Sequence, residues 1–537
     1  MKMIQKTSPL TSTSLPTSPN GFAGRSSIKP NIAWGIIAIA CIGFLYAIFG
    51  IEISVFALLG VLIAWWTFEY PEESFLTLIV LSPLLPLLKA TQTLGNATLI
   101  KDVIIITLFL RNFAFPLLTQ KLPYRRNGLF APIVALTAWA FFEVLRAGIT
   151  TLAILRLRDI VLYILLYFGV LYLPHTARRM KIRMGVFLAT LVVTMLLGIF
   201  QFLHLPDSTV LRFDPARQIW IPRIASTFAH PTVFAEYLIT GSMLLVGLIL
   251  VIMPGLLRPA KLTSEVGIRD PRRLAILNLL LLSTVILIYF TYTRAAWIGF
   301  VMGIGAVIVV YFLPSYEGRR GGVERAADDP LPSLKTGRSP SYDGEKTRLL
   351  WLKLAVSTLI CLAALFSLYR FTPVGTFLKS GFDVSYGSNA DRIVFIVNLI
   401  SQTSNTDAVI GKGLGNTISK TREGGDATAF DIASGESRTI QLSKDQTLVD
   451  NQYLKTFIEM GVVGIVITFW LFWRFFLASR KTLGQTDNIS QILGIFGIGF
   501  LAAFMVQALF VDIWDVYPTN AIFWTLAALA SQVKIEK

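Results

Sequence analysis

An all-α, polytopic helical membrane protein with about 12–14 transmembrane helices and one large outer loop is the fold this sequence predicts. Three observations predict it. Of 537 residues, 54% are hydrophobic and only 15% charged, more apolar side chain than a water-soluble chain of this length can bury. Apolar runs long enough to cross a bilayer recur along the chain. The basic residues gather in alternate connections between those runs, as expected where Lys and Arg orient membrane helices. The formal charge of +16 is therefore assigned to orientation within a bilayer and not to nucleic acid.

Residues 1–31 are rich in Ser, Thr and Pro and carry Lys2, Lys6, Arg25 and Lys29 without an acid, so they are expected to be a disordered cytoplasmic tail. Apolar runs follow near 32–50, 53–68, 74–89, 98–115, 129–146, 159–174 and 185–203, the N-terminal transmembrane helices of a 32–203 segment. Further runs near 232–253, 274–292 and 295–313 belong to a 204–313 segment with arginine-bearing outer loops. A run at 349–369 stands alone, and those at 453–477, 490–511 and 519–533 make up the C-terminal 452–537 segment. With the N-terminus inside, Arg111, Lys121, Arg125 and Arg126 fall on the cytoplasmic side. So do Arg178, Arg179, Lys181 and Arg183, then Arg258, Lys261, Arg269, Arg272 and Arg273, and finally Arg480, Lys481, Lys534 and Lys537. Arg156 and Arg158, in the 147–158 connection, are the exception. Cys41 and Cys361 lie inside apolar runs and read as small packed side chains.

Two long hydrophilic segments remain. Residues 314–348 hold seven Lys/Arg and six Asp/Glu among Gly, Pro and Ser, and are expected to be a disordered cytoplasmic loop. Residues 370–451 fall outside, with eight Lys/Arg and nine Asp/Glu, and are too long for a plain linker. A partly folded outer loop with short helices is expected there, broken by turns such as LKSGFDVSYG and GGDATAFDIASGE. No internal repeat is evident.

On the outer side the polar residues are unevenly spread. The 204–230 connection holds Arg212, Arg217 and Arg223, followed by His230 and, as the next helix begins, Glu236. TYTRAAWIG is a hairpin at membrane level whose single charge is Arg294. An amphipathic stretch, DRIVFIVNLI, carries Arg392, and the loop ends in VDNQYL, with Asp450, Asn451 and Tyr453 at the lip of a span. Cations outside run against the orientation bias and need a partner. One partner is lipid phosphate or a carboxylate such as Glu236 or Asp450. The other is a diphosphate head group, which the paired donors of Arg223, Arg294 and Arg392 suit. Asp450 and Asn451 are equally read as helix caps. GKGLG lacks the Lys-Ser/Thr ending of a phosphate loop and is expected to be a close-packed turn. His175 and His204 are isolated, and no metal site or cofactor is expected. Asp512 and Asp515 read as caps or rim residues.

These stretches, in this order, resemble the O-antigen ligase and O-antigen polymerase family of bacterial envelope glycosyltransferases. RIASTFAHPTVFAEYL is similar to the family's Arg-x-x-Gly/Ser-Thr-Phe-x-Asn-Pro-Asn-x-x-Ala-x-Tyr-Leu, and TYTRAAWIGF to its Thr-x-Ser-Arg-Gly-Ala-x-x-Gly. DRIVFIVNLI with IGKGLGN, and DNQYLKTFIEMGVVG against His-Asn-x-Tyr-Leu…Glu-x-Gly-x-x-Gly, complete a likeness running from about 185 to 475. The resemblance implies an inverting, metal-independent transfer in a bacterial cytoplasmic (inner) membrane, with both termini cytoplasmic. The donor it implies is a glycan on polyprenyl (undecaprenyl) diphosphate, and the acceptor a sugar hydroxyl of a glycan or lipid-glycan. It places Arg223 and Arg294 on the family's paired arginines and Arg392 on a further one. Arg217, Tyr453 and Glu236 are the remaining candidate substrate contacts. The family's catalytic His falls on Asp450, a departure, with His230, where the family has Asn, as the other candidate base. Asn451 would orient the base or bind a sugar hydroxyl. The missing His favours a polymerase or an exopolysaccharide enzyme over a ligase. Other polysaccharide-assembly proteins are possible partners, and no nucleic acid is expected.

Two further classes compete. A flippase for lipid-linked sugars or a small-anion carrier would need charges deep within spans. Lys101, Asp102, Glu143 and Glu236 are the few such residues. The other large class of polyprenyl-phosphate glycosyltransferases expects an acidic pair in the first outer loop, where this chain has only Glu52.

Overall fold

The protein's structure, a computed structural model, describes residues 51–90, 97–119, 127–204, 210–214, 219–228, 230–257, 271–312, 404–418, 428–431, 436–439, 447–448, 451–485 and 487–532. The expected spans at 32–50 and 349–369, both cysteines, Arg217, Arg392 and Asp450 lie outside the described residues. The chain divides into two units, Met1–Leu62 and Ile63–Lys537. The first is described only in the opening turns of α1 (Ile51–Glu69), and the site lies wholly in the second.

The protein is an all-α polytopic membrane protein. Among the described residues, seven helices are long and apolar enough to cross a membrane. They are α6 (Phe130–Ala147), α8 (Ala177–His204), α9 (Pro231–Leu257), α10 (Pro271–Phe290), α11 (Arg294–Phe312), α13 (Gln452–Leu483) and α14 (Asn488–Gln507). Shorter or more charged helices lie between them: α2 (Pro71–Leu81), α3 (Leu85–Ala90), α4 (Ala97–Phe109), α5 (Phe115–Leu118), α7 (Thr151–Leu171), α12 (Asn405–Ile410) and α15 (Thr519–Ser531). Large apolar side chains face outward, with Leu279 63%, Leu196 59% and Trp473 57% exposed. Such a surface is stable against lipid and not against water. Of the spans, α9 and α14 are the most buried, and Phe234, Leu238, Met243 and Leu245 share one core with Phe496, Phe500 and Phe504.

Local sequence sets several boundaries. Pro71, Pro231 and Pro271 stand at helix starts, where a missing N–H costs nothing. Asp487 caps α14 by accepting from the Ser490 N–H at 2.9 Å. The run expected at 74–89 is two helices, since Pro83 and Pro86 interrupt it. The expected 98–115 span continues through a π turn, Leu110–Ala114, into α5.

Two expectations differ from the structure. The 147–158 connection is helical from Thr151 on, because Thr150 caps it by accepting from the Ala153 N–H at 3.1 Å. Its two arginines face acids: Arg158 Nη2 lies 2.7 Å from Asp102 Oδ2, and Arg156 Nε lies 3.8 Å from Glu459 Oε1. The described parts of the 370–451 loop also hold strands and not helices alone. Thr428–Asp431 pairs antiparallel with Glu436–Thr439, and Thr417–Ile418 lies parallel to Thr447–Leu448.

The GKGLG stretch is a close-packed turn. Gly411, Gly413 and Gly415 have φ of 89°, 101° and 83°, in the left-handed region. A Cβ on Gly411 would stand 2.5 Å from the Glu459 carbonyl oxygen, so the turn sits directly against α13.

Candidate functional site

Arg223 ends a short hairpin in which Val210–Asp214 pairs with Ile219–Arg223. Its guanidinium turns inward, 9% exposed, onto the connection between α10 and α11. Nε donates to the Thr291 carbonyl at 2.8 Å, and one Nη donates to Thr293 Oγ1 at 3.0 Å. The Thr291–Thr293 turn is tight enough to put Tyr292 at φ 48°, and Arg294 follows as the first residue of α11. Seventy intervening positions are thus bridged by one turn: the side chain that anchors to it and the residue it presents are two of the arginines singled out in the sequence.

The backbone after Arg223 is clamped as well. Ile224 N–H donates to the Phe290 carbonyl at 3.3 Å. Gln201 Oε1, from α8, accepts from the Ala225 and Ser226 N–H groups at 3.1 and 2.8 Å. Ser226 adopts φ 55°, and its hydroxyl donates to the Thr194 carbonyl at 2.6 Å. Thr291, Thr293 and Gln201 carry no sequence signal for this role, since a small polar residue near a helix end is commonplace.

His230 acts at the start of α9. Its Nδ1 accepts from the Thr232 N–H at 3.2 Å, and its carbonyl accepts from Val233 and Phe234. An imidazole nitrogen here satisfies a free helix amide as an Asn oxygen would. Burial pushes His230 down to about 3, and the Arg223 guanidinium adds to the shift. A neutral ring whose acceptor nitrogen is already engaged is poorly suited to be the base. Glu236, one turn and a half further on, points into the bundle, 1% exposed, where Oε2 accepts from Thr519 Oγ1 at 2.8 Å. In this structure it touches α15, not an open surface.

The lip residues face a different partner, the turn after α14. Asn451 caps α13 by accepting from the Leu454 N–H at 3.0 Å, while its Nδ2 donates to the Leu509 carbonyl at 2.7 Å. Gln452 N–H donates to the Ala508 carbonyl at 2.9 Å, and the Trp514 N–H donates to Gln452 Oε1 at 3.1 Å. Tyr453 donates its hydroxyl to the Met505 carbonyl at 2.9 Å and stacks on Phe469, centroids 5.4 Å apart. Lys455, 1% exposed, lies 3.4 Å from Asp512, itself 3% exposed. Asp512 stands at the N-cap position of a short 3-10 turn, Ile513–Asp515, without a side-chain capping bond, and is buried, not on a rim. An acid beside a turn with a lysine one helical turn inside a span is the signal that could have found this pair. The intramembrane charges Lys101, Asp102 and Glu143 are also paired: Lys101 Nζ with Asp102 Oδ1 at 2.7 Å, and Glu143 with Arg146 at 2.7 Å. His204 stacks on Phe200.

Arg223, Arg294, His230, Asn451 and Tyr453 all lie at one end of the bundle, the end at which α9, α11, α13 and α15 start. A sequence model of the family described as O-antigen ligase matches residues 278–469. Over these residues the chain is similar to the O-antigen ligase family. A search of curated proteins gave no match. The matched region begins inside α10 and ends inside α13, so it takes in the Thr291–Arg294 turn, the GKGLG turn and the lip. Arg223 precedes it in sequence and joins it through its hydrogen bonds to Thr291 and Thr293, whereas the hydrogen bonds of His230 and Glu236 go to Thr232 and Thr519, outside it.

Proposed function

We propose that the protein is a membrane glycosyltransferase that transfers or polymerises polyprenyl-diphosphate-linked glycans at the outer face of the cytoplasmic membrane. The observation that carries this reading is the anchoring of Arg223 on the turn that presents Arg294, within a chain similar over residues 278–469 to the O-antigen ligase family. Two guanidiniums offer fork-shaped donors to a diphosphate, whose lipid tail would lie in the bilayer beside the bundle. Basic residues at the far end, among them Arg178, Arg272, Arg273, Arg480 and Lys481, support placing the arginine turn on the outer side.

In the proposed reaction an acceptor hydroxyl oxygen attacks the anomeric carbon as its bond to the diphosphate oxygen breaks. The electron pair leaves with the diphosphate, and the anomeric configuration inverts. Arg223 and Arg294, with Arg392, hold the departing charge without a divalent cation. The hydroxyl proton passes to a base at the lip, for which Asp450 is proposed. Asn451, whose amide is shared between Leu454 and Leu509, fixes the backbone that carries it.

Purified protein incubated with a polyprenyl-diphosphate oligosaccharide should lengthen or transfer the glycan. Arg223→Ala and Arg294→Ala should each lower the rate by about 100-fold or more, the cost of one lost charge-stabilising donor, while inserting normally. Full activity in both variants would remove the basis of the reading.

A further inference from the structure

Helix α13 is broken in two. Gly461, at φ 65° and ψ −169°, separates residues 452–460 from 462–483. The shorter segment is tied at both ends to other parts of the chain. At its end, the carbonyls of Ile458, Glu459 and Met460 accept from Lys412 N–H, Gly413 N–H and Trp139 Nε1 at 2.6, 3.1 and 2.9 Å. Glu459 Oε1 also accepts from the Gly415 N–H at 3.3 Å. At its start, Asn451 and Gln452 are bound to the Leu509 and Ala508 carbonyls. The position of the lip is therefore set by neighbouring turns as well as by the remainder of the span, which it touches through the Tyr453–Phe469 stack.

The same turn supports the arginines. Gly299, on the second turn of α11 after Arg294, packs so closely on Gln507 that a Cβ there would stand 2.8 Å from the Gln507 Cγ. Residues 507–509 thus lie between the first turns of α11 and the first turn of α13. Into that junction the chain buries a lysine and an aspartate, Lys455 and Asp512. Apolar residues of similar size would serve stability as well or better, because two buried charges lose their hydration. What a charge pair adds is direction: it has one geometry, whereas apolar packing tolerates several.

We propose that Lys455 and Asp512 are positioning residues, which hold the 452–460 segment against the 507–514 turn and so set the spacing between the lip and the arginine turn. Neither touches substrate. The proposal rests on the glycosyl-transfer reading, and its consequence is that the pair governs turnover and not donor affinity.

The test uses full-length protein in lipid vesicles with Asp512→Asn, Lys455→Arg, and the double variant Lys455→Met with Asp512→Leu, which removes both charges together. The double variant should insert normally, keep KM for the polyprenyl-diphosphate donor within about twofold, and lose about 100-fold in kcat, the effect of a displacement near 1 Å. Asp512→Asn should fall between, and Lys455→Arg should keep more kcat than the double variant. Unchanged kcat in the double variant, or a raised KM with kcat intact, would overturn the proposal. Hydrogen exchange of the 452–460 amides supplies a readout independent of activity. Exchange should quicken about tenfold in the double variant, and unchanged exchange would also overturn the proposal. A wild-type protein that exchanges slowly but transfers no glycan would refute the functional reading alone.

Discussion

Arg223 shows how much one side chain can organise. Two of its donors are committed to Thr291 and Thr293, which fixes the guanidinium plane and joins the segment before α9 to the segment before α11. A lysine could not hold both bonds in that geometry. His230 poses the complementary problem, a titratable residue spent on structure. Its cap on Thr232 requires the neutral ring, and its value in the folded protein lies near 3, below the ordinary 6.5. A depressed value means that the unfolded chain binds the proton more readily. The stability His230 contributes is therefore complete above about pH 6.5 and lost as the pH falls toward 3. His230→Asn keeps a cap without a titrating group, so thermal unfolding in detergent should show a shallower loss between pH 6.5 and 4 than the wild type. His230→Leu removes the cap and should cost about 1 kcal/mol at neutral pH. An acid limb identical in the wild type and His230→Asn would show that the ring is not held neutral.

Among the elements, the break in α13 and the glycine turn that fills it are one device. Lys412, Gly413 and Trp139 take up three carbonyls at the break, as a site away from water requires. Gly461 occupies a region of φ and ψ open essentially to glycine alone, and a Cβ there would collide with the Val409 carbonyl. Gly461→Ala should destabilise by about 2 kcal/mol or more, seen as a lower unfolding midpoint in detergent. An unaltered midpoint would mean that the break is not required. The helix periods of this region are plain in the sequence, and so is the GKGLG turn. Their meeting is not, since the glycines lie about 50 residues from the helix they enter. In the same way Arg156 and Arg158 break the charge pattern in the sequence because Glu459 and Asp102 are remote in the chain.

For the whole molecule, the arrangement places the arginine turn, the lip and the glycine turn at one end and, among the described residues, the exposed Arg178, Arg272, Arg273, Arg480 and Lys481 at the other. If that end faces outward, Ile149→Cys, at a position 70% exposed beside the glycine turn, should react with a membrane-impermeant maleimide in intact cells. Arg178→Cys at the opposite end should react only after permeabilisation. Both would be placed in a chain with Cys41 and Cys361 replaced by Ala. The reverse pattern would turn the site toward the cytoplasm and remove the outer-face assignment.

Apolar runs, their lengths and the clustering of Lys and Arg are local properties, and a bilayer reads them locally. Membership of the all-α, membrane-spanning class and the candidacy of Arg223 and Arg294 therefore follow from the amino-acid order alone. Which groups Arg223 rests on, what shifts the titration of His230, and why Lys455 and Asp512 are buried together were decided only when distant segments packed. Hydrogen bonds and ion pairs act over about 3 Å, and folding, not sequence separation, chooses which atoms come that close.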